Sequence, residues 1–400
     1  MSQIFPWLRV AVLTLTVLIG CAPGLQRSIE SVTPAERVQF SSQLHAALVQ
    51  LLGGQNRDEI LQSALDQAVQ RVAQPAPVVT LVNDDTPHLL ALPDSRIIVS
   101  QGLLLTIPDA DTLTALLAHA LGHARHQHSL QAILRITARG PSPVDSAVVS
   151  WGGTVSGMLL DTKYTEAEEM VADRTALVLL ADSGLDPQAL LRQLAPGSPA
   201  GAGLGRHPLS APRLAAAVSV AHGLVPAAAK PIDPAVFTAA RTILDVSQPG
   251  YALYHQARLT EKSGSSDRAL PLYLKAAGEG QEASLLLTGL GMAYLRQDAL
   301  VAARQHLTRA LHADNDYYYS HLGLGYIALL QNDNARAVSH LQRSLKLLPT
   351  VRGGFLLAEA RAARGEVEAA IKLYKSVVAA DPKGFGRTAQ SRLTALGVSP

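Results

Sequence analysis

Cysteine is almost absent from this chain: Cys21 is the only one in 400 residues. A lone thiol excludes an internal disulfide framework and a cysteine-based metal cluster. Charge is sparse as well, at 16 % of residues with a formal net charge of +2, so there is no basic field to neutralise a run of phosphates. Nucleic acid is not an expected partner. Long apolar runs are missing too, and the N-terminal run from Val10 to Ile19 falls short of the ~20 residues that a spanning helix needs. The length does allow two or three domains, each with its own core.

That short apolar run lies behind Arg9 and ends in Leu18-Ile19-Gly20-Cys21, the charged and apolar layout of a secretory signal over residues 1–20. Its end resembles the lipobox at which bacterial lipoproteins are cleaved and acylated on cysteine. A lipid anchor needs one cysteine, and one is present. The reading is a lipidated tether over 21–32, with Cys21 as the acylated residue and the membrane as a partner through its lipid. Ala22 stands where an aspartate would favour inner-membrane retention, so the resemblance implies the periplasmic face of the outer membrane.

Beyond the tether, Thr33-Pro34-Ala35-Glu36 reads as a helix start, with a capping threonine, proline in the first turn and glutamate three residues after the cap. Asn56 with Glu59 predicts a second helix, stopped by Pro75 and Pro77. Val78 to Val82 and Arg96 to Ser100 are β-branched runs between turn residues, hence two strands of a small sheet. A long helix begins near Asp109, with Leu113, Leu116, Leu117 and Leu121 at helical spacing, and is expected to run to Gly140-Pro141. Gly122 inside it costs ~1 kcal/mol relative to alanine, which makes sense if another backbone packs against that turn. Loops follow around Trp151-Gly152-Gly153 and from Ala195 to Gly205, with a helix between them from Thr165 to Asp182. The proline-bearing stretch from Val225 opens an expected linker over 225–249.

On the long helix lie His119 and His123, four residues apart and therefore about 40° apart around the axis. Both imidazoles can reach one ion, which is zinc-ligand spacing. In H-E-x-x-H metallopeptidases the residue after the first histidine is a glutamate that serves as general base; here it is Ala120. On the next helix Glu169 and Asp173 share a face, so one carboxylate could complete three protein ligands and another could orient a ligand histidine. Glu166 and His126 are the candidates for a substitute base.

The last third of the chain repeats. Ala269, Ala303 and Ala337 recur at 34-residue intervals, with Ala370 after 33, and so do Tyr273, Leu307, Leu341 and Tyr374 and the small residues Ala257, Gly291, Gly325 and Ala358. A small residue where two helices cross, and a large one a turn later, is what a stacked helix hairpin needs, and 34 is the tetratricopeptide period. Four repeats over 250–384 and a capping helix within 385–400 are predicted.

Together these residues resemble a known family. Leu117-Ala118-His119-Ala120-Leu121-Gly122-His123 is similar to the L-A-H-E-x-G-H helix of metallopeptidase family 48, the group of prenyl-protein peptidases, HtpX and BepA. Ala91-Leu92-Pro93, the Ile97-to-Leu104 segment, Glu169-to-Arg174 and His207-Pro208 continue the resemblance, and BepA-type members also carry a tetratricopeptide array. It implies Zn2+ held by His119, His123 and Glu169, with Asp173 orienting a histidine. It also implies a His207 able to approach the metal and close the site, with Arg213 after it. Ala120, His88 and Asp94-Ser95 depart from the family pattern, all around one cleft.

The fold class expected is mainly α with a small sheet, an α+β zincin-like domain over 33–224, followed by an all-α tetratricopeptide solenoid. The function expected is binding of envelope or outer-membrane proteins, with hydrolysis lost or strongly weakened; the alternative is a metalloendopeptidase using another base.

Overall fold

Helix caps organise the chain from its first described turn. Our computed structural model describes residues 32–138, 157, 159–161, 163–195, 197–198, 207–228, 234–278 and 283–398. The expected signal sequence, Cys21, the Trp151 stretch and most of the expected Ala195-to-Gly205 loop lie outside the described residues. Helix α1 (Pro34–Leu51) starts as predicted: Glu36 N donates to Thr33 Oγ1 at 3.2 Å and Thr33 N donates to Glu36 Oε2 at 2.8 Å. Helix α2 (Glu59–Val72) is capped by Asp58, whose Oδ1 accepts from the amides of Ile60 and Leu61. Asn56, the expected cap, instead accepts from Asp58 N and donates to Gln101. Of two capping side chains in one turn, the one adjacent to the first helical residue reaches the second and third amides.

The described residues form two compact units, one drawn from 52–132 and 160–281, the other from 32–51, 133–138, 157, 159 and 283–398. In the first, strands β1 (Val79–Val82), β2 (Leu89–Ala91) and β3 (Ile97–Ser100) make one sheet in the order β1-β3-β2. β1 runs parallel to β3, with Val79 opposite Ile97, and β2 runs antiparallel to it, with Leu89 opposite Val99. Every strand residue is buried, consistent with β-branched runs covered on both faces. A short turn of helix, α3 (Gln101–Leu104), precedes α4 (Ala110–Arg125), which Asp109 caps through Thr112 N at 2.7 Å.

The expected single helix to Gly140 is two. α4 ends at Arg125, Gln127 turns left-handed at φ 57°, and a separate helix, α5 (His128–Ala138), begins after it. The Gln127 side chain supports the break by donating to Ala124 O and Pro93 O, which satisfies a terminal carbonyl that a continuing helix would have used. Next come α6 (Glu166–Asp182), with a capping box between Thr165 and Glu168, then α7 (Gln188–Leu194) and α8 (Ala211–His222). α4 and α6 cross backbone to backbone. A Cβ on Gly122 would lie 2.5 Å from Ala172 O and 2.7 Å from its Cα, which explains the glycine.

Residues 234–249, expected as linker, are the first half of α9 (Pro234–Lys262). The proline-bearing stretch from Val225 suggested a boundary, yet the helix runs from Pro234 through Pro249. Ala240 and Leu244 belong to the core of this unit, Gln101 Nε2 donates to Ser247 Oγ at 2.9 Å, and Arg258 pairs with Asp85 at 2.6 Å. With α10 (Ser266–Gly278), α9 forms the first repeat hairpin, so the division between units falls after one repeat.

The second unit holds the hairpins α11 (Ser284–Arg296) with α12 (Leu300–Ala313), α13 (Tyr318–Leu330) with α14 (Asn334–Leu347), and α15 (Val351–Ala363) with α16 (Val367–Ala380), closed by α17 (Phe385–Ala395). The repeating columns meet as their sizes require: a Cβ on Gly291 would lie 2.6 Å from Leu307 Cγ, and one on Gly325 equally close to Leu341 Cγ. α17 is fastened by Arg392, whose guanidinium reaches both oxygens of Glu359. Helix α1 belongs with these repeats and not with the zincin-like part, contrary to the expected 33–224 domain. Its buried Gln50 donates to Asp316 O at 2.7 Å and accepts from Tyr318 N at 2.8 Å, supplying a cap that α13 lacks locally. Among the described residues no helix is long and apolar enough to cross a membrane.

Candidate metal centre

The backbone contact between Gly122 and Ala172 brings two pairs of side chains face to face, His119 and His123 from α4, Glu169 and Asp173 from α6. His207 enters from the segment before α8, and Arg213 from that helix's first turn. All six are buried. His119 Nε2 lies 3.1 Å from His123 Nε2 and 3.1 Å from His207 Nδ1, while Glu169 oxygens lie 3.4, 3.6 and 3.0 Å from His119, His123 and His207. Four potential ligand atoms thus converge within 4.8 Å of one another. A tetrahedral zinc with bonds of ~2.0–2.1 Å has ligand edges of about 3.3 Å, and those five separations straddle that value.

The donor chemistry fits a cation as well as the spacing does. Neither oxygen of Glu169 accepts a hydrogen bond of good geometry, although Arg213 Nη2 is 2.9 Å from one of them. A buried carboxylate left so costs several kcal/mol unless a cation takes its lone pairs. His119 Nδ1 lies 2.9 Å from Asp173 Oδ1, an ion-pair distance without good hydrogen-bond geometry, and His207 Nε2 faces Leu89 O at 3.4 Å; these acceptors favour the proton of each neutral ring on the outward nitrogen, with the bare nitrogen inward. The residues present fit a three-histidine, one-carboxylate zinc site with all four positions supplied by protein.

Around that centre, Arg213 clamps Asp173 through Nε at 2.6 Å and Nη2 at 2.9 Å. Burial alone would raise the Asp173 carboxyl, but Arg213 and His119 outweigh it and hold it below its ordinary value. Glu169 is likewise held low against burial, by His207, His119 and His123. Burial would lower His119, yet Asp173 and Glu169 leave it above the ordinary histidine value. His123 lies well below that value, through burial first and Glu169 unable to offset it.

Two neighbours went unseen in the sequence. Tyr164 stacks on His123 with ring centroids 4.0 Å apart, and His128 places Nδ1 3.0 Å from His123 Nδ1; burial pushes His128 down to about 4. His128 was hidden because a continuous helix would have carried it away from His123, and the break at Gln127 has no signal in periodicity.

Neither substitute base reaches the centre. His126 bonds Thr175 Oγ1 at 3.0 Å, and the Glu166 carboxylate accepts from the Ser210 hydroxyl. Glu168 is committed to the capping box, and Ala120 is a buried core residue. The strand beside the site is also covered. His88 O and Leu92 N pair with β3 neighbours Ser100 and Arg96, so in this antiparallel register the polar groups of Leu89 and Ala91 face away from β3. Their carbonyls accept from His207 and from the Ser129 hydroxyl. At the following turn Ser95 adopts φ 71°, a left-handed conformation that favours glycine; Asp94 supports the turn by pairing with Arg96 at 2.6 Å.

Residues 55–221 match the profile of Peptidase family M48. This part of the chain is an M48 peptidase domain. Residues 254–318, 302–351 and 322–385 match a tetratricopeptide repeat profile, so the M48 domain is followed by repeats of a kind that mediates protein–protein contact. A protease HtpX homologue of Desulforapulum autotrophicum is 24 % identical over 194 residues, covering 46 % of this chain and 60 % of that protein. The chain therefore spans less than two thirds of that relative. Among solved structures, YrrB, described as a tetratricopeptide protein with an unusual peptide-binding site, is 20 % identical over 40 % of this chain and 83 % of its own, at a TM-score of 0.33. A MamA fragment from Desulfovibrio magneticus RS-1 is 17 % identical over 37 % of this chain and 93 % of its own, at 0.31. Zinc is the metal of the M48 family, and the domain here has a His119, His123, Glu169 and His207 cluster that could hold a metal ion, with alanine after the first histidine.

Proposed function

We propose that this protein is a zinc-holding M48 domain that binds other proteins and hydrolyses them poorly or not at all, with its repeats carrying most of the recognition. The observation behind this reading is the closed cluster of His119, His123, Glu169 and His207 beside Ala120. A general base contributes typically ~10²–10⁴-fold, and the nearby carboxylates and His126 are committed to other partners. When bound, zinc would polarise a carbonyl or acidify a water, but four protein ligands leave it no open position. The chain's own residues act to shut the site: His207 takes the fourth position and Arg213 ties Glu169 to Asp173.

The same proposal places the protein in the periplasm, anchored to the outer membrane through lipid on Cys21, with envelope or outer-membrane proteins as clients. The Leu18-to-Cys21 lipobox supports the anchor, and the repeats support client binding. A denatured outer-membrane protein offered to the full chain tests binding and cleavage together. Suppressed client aggregation at near-stoichiometric amounts, with the client intact, is the expected outcome. Rapid cleavage abolished by a chelator would favour the metalloendopeptidase alternative, and aggregation as fast as without the protein would refute both. Labelling with radioactive palmitate, lost in Cys21→Ser, checks the anchor.

A further inference from the structure

We propose that His128 is a positioning residue for the metal ligand His123, accepting a hydrogen bond from its ring so that the opposite nitrogen is presented bare to the ion. The inference rests on the metal-centre reading above. His123 Nε2 faces the cluster, 3.1 Å from His119 Nε2 and 3.6 Å from Glu169 Oε1, and a ligating nitrogen carries no proton. The proton of a neutral His123 ring is then on Nδ1, 3.0 Å from His128 Nδ1. Two ring nitrogens at that distance form a hydrogen bond only if one donates and the other accepts. His123 Nδ1–H is therefore the donor, His128 Nδ1 the acceptor, and the proton of His128 resides on Nε2.

The chain builds this contact from a helix break. α4 stops at Arg125, Gln127 takes a left-handed φ of 57°, and α5 starts at His128, whose ring meets His123 of α4. Ser129 holds the new start by donating its hydroxyl to Ala91 O on β2. His126, two residues before, bonds Thr175 and lies exposed. Position, not residue type, separates the two histidines.

The ligand histidines thus have unlike partners, since His119 faces the carboxylate of Asp173 at 2.9 Å and His123 a neutral imidazole. Formal charges at the centre are one negative each on Glu169 and Asp173 and one positive on Arg213. A neutral partner for His123 fixes the ring without adding a third carboxylate.

The test is zinc affinity of the full chain, by competition with a chromophoric chelator, for the parent, His128→Leu, His128→Asn and His126→Ala. Asparagine keeps an acceptor near the place of Nδ1, and leucine removes it. Loss of an outer partner of this kind typically weakens metal binding ~10–100-fold. That loss is expected in His128→Leu, with His128→Asn within about threefold of the parent and His126→Ala unchanged. In ring nitrogen NMR of the zinc-loaded parent, His123 is expected as the Nδ1–H tautomer. A leucine variant binding as tightly as the parent would overturn the proposal. So would an asparagine variant as weak as leucine, which would make the ring's packing the cause. A parent without zinc would overturn the metal-centre reading itself, and the role of His128 with it.

Discussion

The double variant Ala120→Glu/His207→Ala is expected to cleave an unfolded protein substrate in a chelator-sensitive way, ~10²–10⁴ times faster than His207→Ala alone, the usual contribution of a positioned general base. The argument has two parts. His207 Nδ1 occupies the same cluster as the other three ligand atoms, so its removal frees one coordination position for water. A carboxylate at position 120 then supplies the proton acceptor that H-E-x-x-H enzymes place there. Ala120→Glu alone is expected to gain far less, because the fourth position stays filled and His207 also covers the Leu89 carbonyl on the strand edge. Zinc is to be quantified in every variant. A double variant that holds zinc and cleaves no faster than His207→Ala would show that more than the base is missing from this cleft.

Gly122→Ala is expected to damage both stability and metal binding. Alanine is favoured over glycine inside a helix by ~1 kcal/mol, but here its methyl would meet Ala172 O at 2.5 Å. Backbone cannot rotate aside as a side chain does, so α4 and α6 must separate, and overpacking of this kind costs ~1–3 kcal/mol or more. The clash outweighs the propensity gain. Because Glu169 and Asp173 lie within one turn of Ala172, separation also spreads the ligands, and zinc affinity is expected to fall at least ~10-fold, as when a ligand's orientation is lost. Gly325→Ala is the comparison. Its methyl would approach Leu341 Cγ at 2.6 Å, a buried side chain rather than backbone, and the first and fourth repeats already carry Ala257 and Ala358 in that column. A loss below about 1 kcal/mol is expected there, the range of tolerated core adjustments. Denaturant unfolding and zinc titration of both variants measure the difference; equal losses would contradict the backbone argument.

Much of this architecture could be read in the residues before the structure. Four-residue spacing placed His119 with His123 and Glu169 with Asp173, because a helix puts such pairs on one face wherever it lies. Gly122 signalled a close approach because an interior glycine is costly without one. The repeat columns were legible because small residues must sit opposite large ones at each hairpin crossing, and the period counts them. What failed depended on partners distant in sequence. The proline-bearing stretch from Val225 suggested a linker as far as 249, yet Ala240 and Leu244 there are helical and belong to the core of the first unit. Gln50 capping α13 is a contact between residues far apart in the chain, with no local trace. The turn at Gln127, which delivers His128 to His123, is stabilised by Pro93 O from the neighbouring strand segment. Glu166 and His126 were plausible bases by helical spacing alone, and only their actual partners, Ser210 and Thr175, remove them.

X-ray absorption at the zinc edge of the metal-loaded, unmodified chain tests the central claim most directly. One zinc per chain is predicted, four-coordinate at ~2.0–2.1 Å with nitrogen and oxygen ligands only, and with the scattering of three imidazoles. A chain that takes up no zinc, or one whose zinc sees two imidazoles and solvent, would contradict a closed centre built from His119, His123, Glu169 and His207.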